Sequence, residues 1–395
     1  MKRFAQRRSS RRTPLAWLNL THDRRKLATS LAGVAFAVLL MFIFTGFKNA
    51  LFDSQVQLLG KLNADIVLSS SLRTNMFVPE AFARRRLFQA RTFEGVESAY
   101  PLYINNANWK NPETKLTRPM RVLAFNPQDP ILPLPEIKAH RADLQMSDTV
   151  MVDTKSRPEV GSITPGTVTE LSDRQVRVIG NFTLGTDFAS GNGNLIMSDQ
   201  NFLRYFANLG PEEDSRSLAT VDIGLIKLAP GVNADRMAAS IRDRLPKDVA
   251  VKTKAEFVQQ ELTYWQENTT IGFVFSLLTA MSFVVGIILV YQILYTDVAD
   301  HWAEYATLKA MGYKNIFLLG VVLQEAVILS ILGFIPGFCI STLLYIATAN
   351  ATGLLMEMRF DRALNILLLT FIMCLISGAI AVRKVQATDP AEVFG

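Results

Sequence analysis

Residues 27–47 read LATSLAGVAFAVLLMFIFTGF and are bracketed by Lys26 and Lys48. The run holds no ionisable side chain, and about 20 apolar residues suffice for a helix to cross roughly 30 Å of hydrocarbon. A backbone in lipid must satisfy its own hydrogen bonds, so such a run is expected as a spanning helix. Working outward, three further stretches pass the same test. Residues 269–296 lie charge-free between Glu267 and Asp297, 316–347 are interrupted only by Glu325, and 363–382 are closed by Arg383 and Lys384. The connections 297–315 and 348–362 are short, whereas 48–268 form one large interval. The expected fold is a polytopic α-helical membrane protein with four transmembrane helices and a large α+β domain between helices 1 and 2.

Composition agrees. Of 395 residues, 49% are hydrophobic and 19% charged, where a soluble protein carries about a quarter charged. The formal charge of +6 is unevenly placed. Residues 1–26 hold nine Lys and Arg against Asp23 alone, while 48–268 hold 26 basic and 26 acidic groups. The pI of 9.3 therefore reports a basic tail, and a nucleic-acid partner is not expected. Positive charge before the first span places the tail 1–26 in the cytoplasm. An even number of spans returns the segment 383–395 to the same side. The 21 apolar residues of the first run exceed a usual signal-peptide core, and no A-x-A-like site follows Phe47, so an uncleaved span is expected.

Within 48–268, β-branched runs at 65–68, 99–104, 121–125, 176–179 and 223–228 read as strands. Residues 255–267 have helical composition, and 48–62 continue the first span as a polar-apolar helix. Two such helices side by side would form a stalk. The Pro-rich 127–135 (PQDPILPLP) and the Gly-rich 185–194 read as joints bounding an inserted subdomain at about 128–215.

Catalytic motifs are missing from the sequence. It contains no G-x-x-x-x-G-K-[ST], H-E-x-x-H or G-x-S-x-G. Cys339 and Cys374 both lie in apolar runs, and the histidines are His22, His140 and His301. His301 and Glu304 are three apart with no third ligand in reach, so no metal, cofactor or catalytic residue is assigned. Gly191-Asn192-Gly193-Asn194 is a turn signal. The basic run 83–91 (ARRRLFQAR) reads as a solvated helix face, with Glu212, Glu213 and Asp214 as a possible acidic counterpart.

The connection 297–314, DVADHWAEYATLKAMGYK, is more informative. Trp302, Tyr305, Ala306, Leu308 and Met311 recur at helical spacing, and Gly312 supplies a stop. Such a helix either hugs membrane lipids or docks a partner. Glu325 lies about nine residues into its span, roughly 14 Å at 1.5 Å per residue. It is expected to bond a neighbouring helix or to cap a shallow bundle, since a proton relay would want a second intramembrane carboxylate or histidine, and there is none. Gly333, Pro336 and Gly337 place a G-x-x-x-G beside a proline, for close packing or a hinge.

EYATLKAMGY at 304–313, followed by LLGVVLQEAVILSILGFIPG, resembles the FtsX/MacB-type (type VII, mechanotransmission) permeases of ABC transporters. The resemblance maps Glu304, Tyr305, Leu308, Lys309, Ala310, Met311 and Gly312 onto an ATPase-coupling helix, to which Trp302 belongs by the apolar spacing, and Glu325 onto a span glutamate. Arg383-Lys384 through Asp389-Pro390-Ala391-Glu392 looks like the closing motif. PLAWLNL (14–20), ALFDS (50–54), GVESAYPLY (95–103), WKNP (109–112), FNPQDP (125–130) and YQILYTDVADH (291–301) resemble DevC-type permeases of cyanobacteria. The amino tail before Pro14 is longer than that pattern. The resemblance implies an inner-membrane homodimer with a periplasmic porter/sabre-like domain. Its partners would be a DevA-like cytoplasmic ATPase holding ATP and Mg, a DevB-like membrane-fusion adaptor and a TolC-like outer-membrane channel, for export of glycolipid or other lipid-like cargo. The chain itself would bind no cofactor and catalyse nothing. An FtsX-like regulator of a periplasmic partner is the alternative, and a sensor without an ATPase is another.

Overall fold

In the computed structural model, residues 15–187, 190–206, 217, 219–268, 270–352, 354 and 356–386 are described. Among the described residues, four helices are long and apolar enough to cross a membrane: Arg24–Lys61, Gly272–Asp300, Leu319–Ala351 and Phe360–Arg383. A large α+β domain is inserted between the first and the second. The chain divides into two units, 1–48 with 274–347 and 356–395, and 49–273 with 348–355. The basic residues before Pro14, the acidic trio at 212–214 and the motif at 389–392 lie outside the described residues.

The first helices are α1 (Leu15–His22) and α2 (Arg24–Lys61). The sheet domain then runs β1 (Ile66–Ser70), β2 (Phe82–Ala83), α3 (Arg85–Arg91), β3 (Val96–Lys110), β4 (Thr117–Phe125), α4 (Pro135–Ala139) and α5 (Arg141–Leu144). It continues with β5 (Thr149–Asp153), β6 (Val168–Leu171), β7 (Arg174–Phe182), β8 (Asn194–Ser198), α6 (Asp199–Phe206), β9 (Thr220–Val221), β10 (Ile223–Leu228), α7 (Ala234–Arg244), β11 (Val249–Thr253) and α8 (Lys254–Glu267). The remaining helices are α9 (Thr270–Asp300), α10 (Trp302–Ala310), α11 (Asn315–Thr352) and α12 (Phe360–Gln386).

Nine strands pair in the order β11-β1-β10-β3-β4-β8-β5-β7-β6. Side chains alternate across a strand, and here both faces are covered. Ile66, Leu68, Val122, Ala124, Val150, Val152, Leu195 and Met197 enter one core with Ala90 of α3, Phe202 of α6 and Ile241 of α7. Val67, Leu123, Phe125, Met151 and Ile196 enter the other with Leu58 and Leu59 of α2, Ile137 of α4, Leu144 of α5 and Phe257 of α8. The long strand β3 serves two partners. Its first half pairs with β10, as at Leu102 opposite Ile223, and its second half pairs with β4, as at Tyr103 opposite Ala124. A bridge from Trp109 to Leu171 of β6 closes β3, β4, β8, β5, β7 and β6 into a ring. The changeover between the two halves of the sheet therefore falls inside β3, earlier than the Pro-rich joint at 127–135. Proline punctuates the loop, but pairing along a continuous strand sets the boundary. Helix α8 begins with a capping box, in which Thr253 accepts from the Glu256 N–H and Glu256 accepts from the Thr253 N–H.

In the helical unit, small residues let backbones approach. A Cβ on Gly333 would lie 2.6 Å from the Val34 side chain, and one on Gly337 would lie 2.8 Å from Val38. Gly33 faces Ile293, and Gly286 faces Met373 and Ala37. Phe42 of α2 packs against Phe334 and Phe338 of α11 at centroid distances of 5.9 and 5.8 Å. Helix α11 passes Pro336 unbroken. Gly333 and Gly337 are thus packing positions against α2.

Candidate docking site

Helix α10 is held at its end by a glycine. Gly312 adopts φ +96°, a region open to glycine without steric cost. The Tyr313 N–H then reaches the Leu308 carbonyl at 3.1 Å, and the Met311 N–H reaches that of Thr307 at 3.0 Å. This pattern satisfies carbonyls that a helix end otherwise leaves open. The two faces of α10 differ. Trp302 and Leu308 pack inward with Val298 of α9, Phe317, Leu319 and Val322 of α11, and Val382 of α12. On α10 Glu304 is exposed, and so are Met311, Gly312 and Tyr313 in the turn after it and Ile316 at the start of α11, Met311 at 64% and Ile316 at 76%. The side chains of Tyr305, Lys309 and Ala310 lie outside the described residues. The expected helix is present, but its residues separate into an anchor and a presented surface. That surface gains Tyr313 and Ile316, which the sequence pattern did not single out.

Beside α10, within the same unit, polar side chains converge on the ends of α9 and α11. Asp23 starts α2 by accepting from the N–H groups of Arg25 and Lys26 at 2.8 and 3.2 Å. This cap presents Lys26, whose ammonium lies 2.8 Å from Asp297 and 2.9 Å from Asp300. Asn19 of α1 donates to Glu325 at 3.1 Å, and His301 Nδ1 lies 2.9 Å from the Asp297 carbonyl oxygen. A cavity of about 200 Å³ is lined by Asn19, His22, Lys26, Asp297, Asp300 and His301 among others. Glu325 does bond a neighbouring helix, as expected. The expectation that no second carboxylate lies in the spans is corrected: Asp297, 5% exposed, falls within the helix Gly272–Asp300. Next to it, Val298 of α9 packs with Val322 of α11. Asn19 was also missed, although an Asp before a basic-apolar run is a legible helix start.

The sheet domain holds polar groups that pin loops. Arg73 donates to the carbonyls of Met76 and Glu80 and pairs with Asp222, which accepts from the Ile104 N–H at 2.9 Å. Arg121 pairs with Asp187 and lies 4.1 Å from the Phe77 ring centroid. Asp153, fully buried, accepts from the N–H groups of Leu184 and Gly185 and from Asn194, fixing the start of the Gly-rich turn. Glu261 accepts from the Met76 N–H at 2.8 Å and Trp265 Nε1 at 3.0 Å. Burial pushes its carboxyl above the ordinary range, and the two donors counteract part of that rise. In the basic run, Arg86 is engaged by Asp248 at 2.8 Å. Its partner therefore comes from the loop after α7. Among the described residues, no group of three His, Cys, Asp or Glu side chains converges to hold a metal.

Residues 274–390 match the family model described as FtsX-like permease C-terminal. No curated protein matches the chain in sequence. Among solved structures, it is similar to the periplasmic region of MacB from Actinobacillus actinomycetemcomitans, at 12% identity, covering 53% of this chain and 96% of that one with a TM-score of 0.36. It is also similar to the extracellular domain of the noncanonic ABC-type transporter YknZ from Gram-positive bacteria, at 10% identity, covering 48% and 99% with a TM-score of 0.35.

Proposed function

We propose that this chain is the membrane subunit of an ABC exporter driven by a separate ATPase, and that the ATPase acts on α10. The observation that carries this reading is the division of α10 into two faces. Trp302 and Leu308 lock the helix to the ends of α9, α11 and α12, while Glu304 on the helix and Met311 and Tyr313 in the turn that ends it stand exposed. A push on the exposed face moves the packed helix ends together, as rigid elements do. The family match over 274–390 supports the permease role. The basic residues Arg24, Arg25 and Lys26 before the first span, with Arg383 after the fourth, support a cytoplasmic position for α10 and both termini.

The motifs shared with DevC-type permeases support a finer reading. The chain then works as a homodimer with a DevA-like ATPase, which holds ATP and Mg. A DevB-like adaptor and a TolC-like channel carry glycolipid or other lipid-like cargo across the envelope. The chain itself is non-catalytic and transmits motion to its large domain on the far side.

The test is gentle purification of the tagged full chain from native membranes, with native mass determination. Two copies carrying two ATPase chains, lost on Glu304→Ala, support the exporter, and a co-purifying adaptor supports the envelope route. A stable assembly without an ATPase, or one indifferent to Glu304→Ala, overturns the docking role of α10. Binding of a cell-wall hydrolase with no response to cargo would mark a regulator instead.

A further inference from the structure

Helix α1 reads LAWLNLTH and is apolar on two opposite sides. Ala16 and Leu20 are buried in the helical unit, where Leu20 shares a core with Leu294 of α9 and Ala326 of α11. Trp17 and Leu18 face away from that core, at 45% and 48% exposure. The helix cannot roll them inward. Asn19 Nδ2 donates to Glu325 Oε1 at 3.1 Å, and Lys26, in the first turn of α2, pairs with Asp297 and Asp300 at 2.8 and 2.9 Å. A helix that is apolar all round is ordinarily covered all round, and here the chain covers one side.

Two observations say what covers the other side. The chain passes from α1 through Asp23 directly into the membrane-crossing helix Arg24–Lys61, so α1 sits where that span meets the bilayer surface. Tryptophan, an apolar ring system with one N–H donor, is enriched at that level. The second observation is charge. The side chains of Arg24 and Arg25 are exposed, while the neighbouring carboxylates are engaged elsewhere: Asp23 accepts from the backbone N–H groups of Arg25 and Lys26, and Asp297 and Asp300 hold Lys26. The first turn of α2 has no acidic residue, so its cations stand at the helix end that favours anions. Orientation of the spans accounts for a basic flank, but not for an outward tryptophan and leucine beside it. A negatively charged headgroup layer accounts for both.

We infer that α1 and the first turn of α2 form a binding surface for anionic phospholipid. Trp17 and Leu18 seat at the boundary of headgroups and acyl chains, and Arg24 and Arg25 meet the phosphates. The inner side of α1, fixed through Asn19 and Leu20, sets the direction in which the outer side meets the lipid. The inference does not rest on the exporter reading, since the surface belongs to this chain whether or not an ATPase docks at α10.

The experiment uses the full chain in nanodiscs of equal parts phosphatidylglycerol and phosphatidylcholine, with bromine near the headgroup end of the acyl chains of one lipid or the other. Bromine quenches indole fluorescence at short range, and wild type minus Trp17→Phe isolates Trp17 from Trp109, Trp265 and Trp302. Trp17 is expected to be quenched by both lipids, about twofold more strongly when phosphatidylglycerol carries the bromine. In the double variant Arg24→Gln, Arg25→Gln the two lipids are expected to quench equally. A fluorophore on Leu18→Cys in a Cys339→Ser background repeats the comparison with Trp17 in place. Equal quenching by both lipids in the wild type overturns the anionic preference, and a preference that survives the double variant overturns the role of the two arginines. Quenching by neither lipid overturns the proposal outright, and cross-linking of Leu18→Cys between copies would then put a second chain on this face.

Discussion

At Gly312 a single backbone angle ends α10, and a side chain there is strained because φ is +96°. Placing an L-residue in that region costs about 1–2 kcal/mol. No neighbour lies within 4 Å of a Cβ built at Gly312, so Gly312→Ala tests the angle without a clash. The expected outcome is an unfolding temperature close to wild type with several-fold lower recovery of the ATPase in pull-downs; full recovery would refute a role for this cap in docking. Glu261 tests a different residue-level term. Its carboxyl is pushed up by burial in the folded state and titrates in the ordinary range, about 4.3, when unfolded. Stability from this group is therefore greatest below the ordinary range and falls as pH rises toward the folded value. Glu261→Gln removes that slope, although its amide cannot accept from both Met76 N–H and Trp265 Nε1. Relative to wild type, the variant is expected to be less destabilised at about pH 7 than at about pH 4, measured by denaturant midpoints. A gap independent of pH would show that burial does not dominate this carboxyl.

At the scale of elements, the G-x-x-x-G of α11 separates packing from helix propensity. Gly→Ala in a helix interior gains about 1 kcal/mol in propensity, whereas overpacking costs about 1–3 kcal/mol. At Gly333 a Cβ meets Val34 at 2.6 Å, while at Gly320 it meets nothing within 4 Å. Gly333→Leu should lower the unfolding temperature in detergent, and Gly320→Ala should leave it equal or higher. Equal losses at both would mean that α11 does not rest on α2 through this stripe. These elements were legible because lipid demands long apolar helices and a small-residue spacing marks close contact. The sheet was less legible. Strands β5 (TVMVD) and β8 (NLIMS) are buried throughout, so they lack the alternation that marks a half-exposed strand. The capping box at Thr253–Glu256 was present in the sequence as T-x-x-E, while the bond from Asn19 to Glu325 depends on how α1 packs against α11. The sequence pattern located α10 itself, but could not separate the inward Trp302 and Leu308 from the presented Glu304 and Met311.

For the whole molecule, the distribution of charge predicts which side of the membrane each part faces. Nine basic residues precede the first span, whereas the large interval 48–268 is balanced at 26 and 26. Short basic flanks resist translocation, and long domains cross largely regardless of their charge. Thiol labelling in a Cys339→Ser background tests this, because Cys374 is buried and Cys339 is the exposed cysteine. Leu116→Cys places a thiol at an exposed turn of the sheet domain, and Met311→Cys places one at the exposed end of α10. A membrane-impermeant maleimide is expected to label position 116 in intact spheroplasts and position 311 only after permeabilisation. The reverse pattern would place α10 where no cytoplasmic ATPase reaches it, and the docking proposal would fail even with every local contact intact. Labelling of both positions from outside would contradict an arrangement in which an odd number of spans separates them. The outcome thus tests the charge rule and the span count together, and ties the exposed face of α10 to the side of the membrane on which ATP is available.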